Sequence, residues 1–397
     1  MRTVLFTLFL DVLAYSMIAP LLPFYVHDLA GAGAGVPVAW LAGMLGAGYA
    51  AMQLISGPLL GVLSDRHGRR PGLLACQVGT VISFVLLANA MSIEMLFVAV
   101  LVDGLTGGNL TAVHAYIADV STPEKRAHNL ALTGVAFGLG VTTGPALGSL
   151  LAMVNLHAAV VACIVAAASL ILTASFLPES LPAEQRTVRS SGSLPHQLPH
   201  QLPRRLSSRL SHRPAITLLL TAIFAANLSF VGLQANFGLF SAARFAWSMR
   251  ETSGFFAFVG LCAVLTQGLV LPIAQRRFGD RRLIAAGLPL LALGLAGIAF
   301  ASDARWVFPA AAIAAFGSGL SLPTLSAVAA HTAAEQRGLL MGATQSLHAI
   351  ASIAAPLMTG AAYEFVAPGA PYLAGCACAL IAAGAAHRAF VMLQARQ

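Results

Sequence analysis

The sequence predicts an all-α membrane protein of twelve transmembrane helices in two six-helix halves, and three observations lead there. Apolar residues make up 58% of the chain and charged residues only 9%, against roughly 25% charged in an ordinary soluble domain; the mean hydropathy is +0.82. The apolar residues fall into runs long enough to cross about 30 Å of hydrocarbon at 1.5 Å per residue. The chain also repeats itself without gaps at a spacing of 211 residues.

In order, the runs cover 3–26, 40–63, 72–90, 95–118, 128–153, 158–177, 215–239, 252–275, 283–301, 305–330, 338–362 and 369–390. The first follows Arg2 as a signal peptide would, but it contains Asp11, lacks a small-residue cleavage site and precedes eleven more runs, so it is expected to remain as a span. Basic residues orient the chain. With both termini cytoplasmic, the inner loops collect nearly all Lys and Arg and leave only Arg244, Arg250 and Arg305 outside. The expected location is the inner (plasma) membrane, with the lipid bilayer as solvent.

Domain boundaries follow from the same pattern: a six-helix half at 1–177, a cytoplasmic linker at 178–214 and a second half at 215–397. The linker holds the run SLPHQLPHQLPRRLSSRLSHR, where Pro195, Pro199 and Pro203 forbid a continuous helix. From Arg204 to Arg213 it reads either as a short basic helix on an anionic leaflet or as a solvated tether. The net charge of +8 would suggest nucleic acid in a soluble protein, but lying in the loops of a membrane chain it implies no such role. The five cysteines are odd in number, lie in apolar runs and form no ligand cluster with His, so they read as free thiols, and no metal or cofactor is expected.

The 211-residue offset sets Gly68 on Gly279, Arg66 on Arg277, Arg70 on Arg281, Gly108 on Gly319, Glu124 on Glu335, Arg126 on Arg337 and Pro145 on Pro356. Two parallel six-helix repeats are the architecture of a carrier that rocks around a site near mid-bilayer. Between the second and third runs stands GVLSDRHGRR, Gly61 to Arg70. Asp65, Arg66, Arg69 and Arg70 cannot sit in hydrocarbon, and Gly61 and Gly68 allow a tight turn. Any two-helix hairpin needs a polar turn, so this loop alone does not establish function.

Taken together, the motifs resemble the major facilitator superfamily, and within it the drug/proton antiporters related to tetracycline efflux proteins. The charged loop matches the superfamily signature between helices 2 and 3. GVAFGLGVTTGPALG (Gly134 to Gly148) is similar to the glycine and proline antiporter motif of helix 5, and Leu10 to Pro23 and Asp103 to Ala127 look like helices 1 and 4 of that branch. The resemblance implies the major facilitator fold, no enzymatic activity and proton-coupled export of a small molecule, in a protein expected to act as a monomer.

Each motif also has a physical reading. Gly134, Gly138, Gly140, Gly144 and Gly148 would let a neighbouring backbone approach closely, and Pro145 favours a bend. Ordinary packing accounts for the same glycines, whereas the resemblance implies a seal against leak. Asp65 would lie near the start of helix 11 at Gly338 to Gly342, favoured by that N-terminus. Arg69 would pair with Asp119, and together they would latch the inner side. The second copy has Arg276 in the place of Asp65 and Asp280 in the place of Arg69, so the first copy is the expected latch.

Of the fourteen acids, only Asp11 and Asp103 fall well inside a run, and no Lys or Arg does. Each costs about 2.5 to 3.5 kcal/mol at mid-helix on an insertion scale, so each should face a cavity. They are the expected proton-coupling pair, Asp103 the deeper. Alternatively, Asp11 is a helix-end acid and Asp103 a structural partner of Asn109 or His114. Many family members carry an Arg three positions before Asp103, where this chain has Val100; a protonatable acid can work without it. Asn109, His114, Asn227, Gln234, Asn236, Gln345 and His348 are candidates for hydrogen-bonding a substrate, or equally for gluing helices together. Among the second-half candidates, His348 is the one whose charge changes near neutral pH.

The reading is a secondary exporter exchanging protons for a small amphipathic neutral or cationic compound. Alternatives are a proton-coupled importer or metabolite exporter, a non-transporting membrane sensor, and an intramembrane enzyme using Asp103 and His114, although no HExxH, GxSxG or GxxxxGK[ST] pattern is present.

Overall fold

The computed structural model describes residues 1–30, 37–107, 109–153, 157–181, 214–332 and 337–394. The proline-rich linker, its basic stretch Arg204–Arg213 and Gly108 lie outside the described residues. All secondary structure among them is helical, and each of the twelve apolar runs falls on a helix.

The membrane helices are α1 (Arg2–Ala30), α2 (Val38–His67), α3 (Arg69–Ala88), α4 (Ile93–Val120), α5 (Pro123–Met153), α6 (Ala158–Phe176), α7 (Pro214–Ala235), α8 (Met249–Phe278), α9 (Asp280–Phe300), α10 (Ala304–Thr332), α11 (Arg337–Phe365) and α12 (Ala370–Gln394). A short helix, Phe237–Phe245, continues α7. Among the described residues ten helices are long and apolar enough to cross a membrane. The other two are α5 and α11. Within α5 the described apolar stretch is Leu132–Gly148, and α11 is interrupted by Thr344, Gln345, Ser346 and His348.

The internal repeat carries into the backbone. Adding 211 to the bounds of α2 gives those of α8, and adding it to the first residue of α3 or α4 gives that of α9 or α10. Gly68 and Gly279, also 211 apart, are the glycines with positive φ among the described residues, at 112° and 75°. Each joins two helices in a single-residue turn that an L side chain would strain.

The chain divides into two compact units. The first takes Met1–Val38, Gly48–His196 and Ser248–Ala257. In it α1 packs on α5 and α6, and α3 packs on α4 and α6, around Val4, Leu8, Leu73, Val113, Tyr116 and Ile117. The second takes Ala39–Ala47, Gln197–Trp247 and Phe258–Gln397. Its α9 packs on α10 and α12, and α7 on α11 and α12, around Leu219, Ile223, Ile284, Leu288, Leu325 and Ala382. Glycines bring the α9 and α10 backbones together: a Cβ on Gly294 would stand 2.6 Å from the Ala310 carbonyl oxygen, and one on Gly287 2.8 Å from that of Gly317. Large apolar side chains such as Ile164, Ile171, Phe300 and Ile381 remain exposed, as lipid-facing surfaces require.

α2 therefore contributes its first turns to the second unit and the remainder to the first. Within the second unit, Ala39–Ala47 lies against α11. A Cβ on Gly43 would collide with the Pro356 carbonyl, one on Gly360 would stand 2.6 Å from the Ala39 carbonyl oxygen, and Trp40 meets Phe365. The Ala39 N–H, unsatisfied at a helix N-terminus, donates to Glu364 Oε2 at 3.2 Å.

Candidate functional site

Asp11 is the hub of a buried polar layer in the first unit. It lies nine residues into α1, about 14 Å along the helix. Gln77 on α3 donates from Nε2 to Asp11 Oδ2 at 3.2 Å and to Ser169 Oγ on α6 at 2.9 Å. Asn109 on α4 donates to the same Asp11 oxygen at 3.0 Å, and the Ser169 hydroxyl donates to the Thr7 carbonyl at 3.2 Å. Four helices are thus tied through one carboxylate. Asn109, a candidate partner of Asp103 in the sequence, serves Asp11 instead, because it starts the second segment of α4 on the far side of Gly107. His114, the other candidate, has turned to α5: its Nε2 lies 3.0 Å from Thr133 Oγ1.

Asp103 belongs to the neighbouring layer. It is 6% exposed, lies within hydrogen-bonding reach of Thr80 and within electrostatic range of Asp11. With Tyr15, Ile18, Tyr49, Ser83 and Val100 it lines a small recess. Tyr15 and Tyr49 stack there with centroids 4.8 Å apart and planes 13° apart. Val100, which stands where family members often have Arg, faces the same recess and leaves Asp103 without a cationic partner among its lining residues. Tyr15 is one helical turn from Asp11, so the two acids occupy adjacent layers.

Gln77, Thr80, Ser169 and the tyrosine pair were not singled out from the sequence. One signal was available, since Gln77 is the sole amide in α3, and an amide in lipid needs a partner.

The charged loop forms a second polar cluster. Arg69 is 5% exposed and holds three partners: Asp65 at 2.6 Å, Asp119 at 2.9 Å and the Ser64 hydroxyl at 2.8 Å. Gly72 lets α3 approach, since a Cβ there would stand 2.7 Å from Ser64 Cβ, and Gly61 faces Thr111. Glu179, just past α6, accepts from the N–H groups of Arg69 and Arg70 at 2.8 and 3.2 Å. Its carboxylate thereby caps the N-terminus of α3, where a negative charge is favoured. Arg70 donates to the Ala174 carbonyl at 2.5 Å, whereas Arg66 points outward. The repeat copy is open: Asp280 is exposed and, among the described residues, takes one side-chain hydrogen bond, from Gln275 at 3.3 Å.

The α5 glycines divide by face. Gly140, Gly144 and Gly148 meet α1 at Val12, Ser16 and Met17, and the Ser16 hydroxyl donates to the Gly140 carbonyl at 2.8 Å. Gly134 and Gly138 have no described atom within 4 Å of where a Cβ would stand. Close approach therefore applies to three of the five. Pro145 is buried in the same helix.

In the second unit His348 Nδ1 lies 2.8 Å from Asn227 Oδ1, and Asn236 donates to Thr359 Oγ1 at 3.2 Å. Gln234 and Gln345 are exposed. Among the described residues no group of three His, Cys, Asp or Glu could hold a metal ion.

Comparison with known proteins bears on what these layers serve. Residues 4–388 match the model of the Major Facilitator Superfamily. The chain belongs to that superfamily. It is 31% identical over 362 residues to the class C tetracycline resistance protein of Escherichia coli, covering 91% of this chain and 88% of that one. It is 29% identical over 395 residues to major facilitator superfamily domain-containing protein 10 of Homo sapiens, covering 90% and 85%. The crystal structure of the human organic anion transporter MFSD10 (TETRAN) superposes with a TM-score of 0.68 at 26% identity over 97% of this chain and 98% of that one. Superfamily membership makes the chain a multi-pass secondary transporter of a small molecule, related to tetracycline efflux antiporters, and not an enzyme.

Proposed function

We propose that this major facilitator exchanges protons for a small amphipathic neutral or cationic compound and exports it by alternating access. The observation that carries the reading is the pair of adjacent buried layers around Asp11 and Asp103, with no Lys or Arg in either. A carboxylate in a low-dielectric recess is held neutral by a proton or by a cationic ligand, and competition between the two is the chemistry an antiporter needs. The similarity to tetracycline resistance proteins supports the direction of transport. The Arg69 cluster supports a latch of the inner side, and the basic loops support an inner-membrane location with both termini cytoplasmic.

Proteoliposomes carrying the chain test this. Substrate added against an opposed pH gradient is expected to move protons in the counter direction. Asp103→Asn is expected to abolish gradient-driven transport while preserving substrate exchange at equal pH, because exchange needs the site but not net proton release. Undiminished proton flux in Asp103→Asn removes that residue from the coupling. Substrate moving in the same direction as protons supports the importer reading, and a chain without counterflow supports a sensor.

A further inference from the structure

The turn between α8 and α9 carries four arginines within seven residues, Arg276, Arg277, Arg281 and Arg282, against one carboxylate, Asp280, for a net charge of +3. All four are exposed. Among the described residues none of them forms an ion pair. Arg277 lies over the Phe278 ring at 5.6 Å, and Arg281 over Phe390 of α12 at 5.8 Å. A single exposed arginine is satisfied by water, so the group is set apart by its repeat counterpart and its surroundings.

The first half fills the equivalent turn with its own partners. Arg69 pairs with Asp65 and Asp119, Arg70 reaches the Ala174 carbonyl, and Glu179 caps the start of α3. The 211-residue offset sets Arg281 on Arg70 and Phe390 on Glu179. Phe390 lies against Arg281, so the second half keeps the place and has lost the carboxylate. The start of α9 has no side-chain cap, and a Cβ on Gly279 would meet no described atom within 4 Å. One turn is neutralised from within, and the other is basic and open.

The open turn also adjoins lipid-facing surface. Ile273, 61% exposed, precedes Arg276 and Arg277 by one helical turn on the same face of α8, and Phe278, 49% exposed, stands between the two arginine pairs. Guanidinium forks match phosphate oxygens in shape and charge. A phosphodiester carrying acyl chains meets the basic and the apolar parts together, whereas a soluble anion meets only the basic part. A zwitterionic headgroup brings its own positive charge and is attracted less.

We propose that the α8–α9 turn binds the headgroup of an anionic phospholipid, with its phosphate among the arginines and its acyl chains along Ile273 and Phe278. The lipid supplies from outside the negative charge that Glu179 supplies in the first half. This site rests on neither the direction nor the coupling of transport, and either reading can fail alone.

The test follows melting of the full chain in mixed micelles containing phosphatidylglycerol or phosphatidylcholine with the same acyl chains, or detergent with soluble glycerol phosphate. Phosphatidylglycerol is expected to raise Tm saturably, by about 2 °C or more over phosphatidylcholine, and the difference should shrink between about 0.05 and 0.5 M salt. Replacing Arg277, Arg281 and Arg282 together by Gln should remove most of it. Replacing Arg204, Arg205 and Arg209 of the linker by Gln removes the same charge and should leave it. Equal melting in the two lipids overturns the site, as does an equal loss from both triple variants, which shows attraction by net charge alone. An equal rise with glycerol phosphate overturns the lipid as occupant. If the turn variant does not fold, Arg282→Gln decides: an apparent affinity for phosphatidylglycerol weakened about fivefold, the effect of one charge near an anionic surface, supports the site, and an unchanged affinity overturns it.

Discussion

The guanidinium of Arg69 engages two carboxylates and a hydroxyl at once. A lysine brings one point charge instead of a planar fork, so it can hold Asp65 or Asp119 well but not both. Arg69→Lys is therefore expected to slow transport roughly tenfold, a bias of about 1.4 kcal/mol between conformations, while ligand binding in detergent stays intact. The carboxylates are partly solvated, so the loss in thermal stability should be small. Arg276→Ala and Asp280→Ala, in the exposed copy, should be tolerated, and equal losses from both sets would remove the asymmetry between the copies. Charged residues such as Arg69, Asp11 and Asp103 were legible in the sequence because hydrocarbon excludes them and every one demands a reason. Glu179 was not, because the Arg69 and Arg70 N–H groups it caps lie more than a hundred positions earlier, and a sequence does not display that proximity.

At the scale of elements, α5 gives a differential expectation. A methyl on Gly144 would collide with the Ser16 hydroxyl and stand 2.9 Å from the Met17 nitrogen, forcing α1 and α5 apart. Gly144→Ala should destabilise by about 1–3 kcal/mol, as overpacking does. Gly138→Ala places its methyl in open space and should gain up to about 1 kcal/mol of helix propensity. Melting of the two variants in one detergent distinguishes them; a comparable loss in Gly138→Ala would mean that its face is covered. The sequence displayed the spacing of these glycines but not which of them met α1, since spacing fixes a stripe on a helix and only packing decides what lies against it. The interruption of α4 near Gly107 had the same status. It moved Asn109 to Asp11, and a continuous helical count does not foresee it.

For the whole molecule the repeat was the most legible feature, because one offset aligned turns, charges and prolines, and the same offset relates helix bounds and the two left-handed glycines. The linker calls for a tolerance test: deleting Ser190 to Pro203 should leave expression and melting unchanged, since loop-closure entropy varies slowly with length, and loss of folding would show a structural element there. The order of synthesis gives the junction of α2 and α11 a further meaning. The surface of Ala39–Ala47 is made early, but Pro356 and Glu364, against which it rests, are made roughly 300 residues later, a delay of about 15–60 s at ordinary elongation rates. During that interval the segment must wait in lipid without its counterpart. Its side chains suit the wait, because apart from the Trp40 indole N–H they leave no polar group in hydrocarbon, and the Ala39 N–H has only water or headgroups to bond until Glu364 leaves the ribosome.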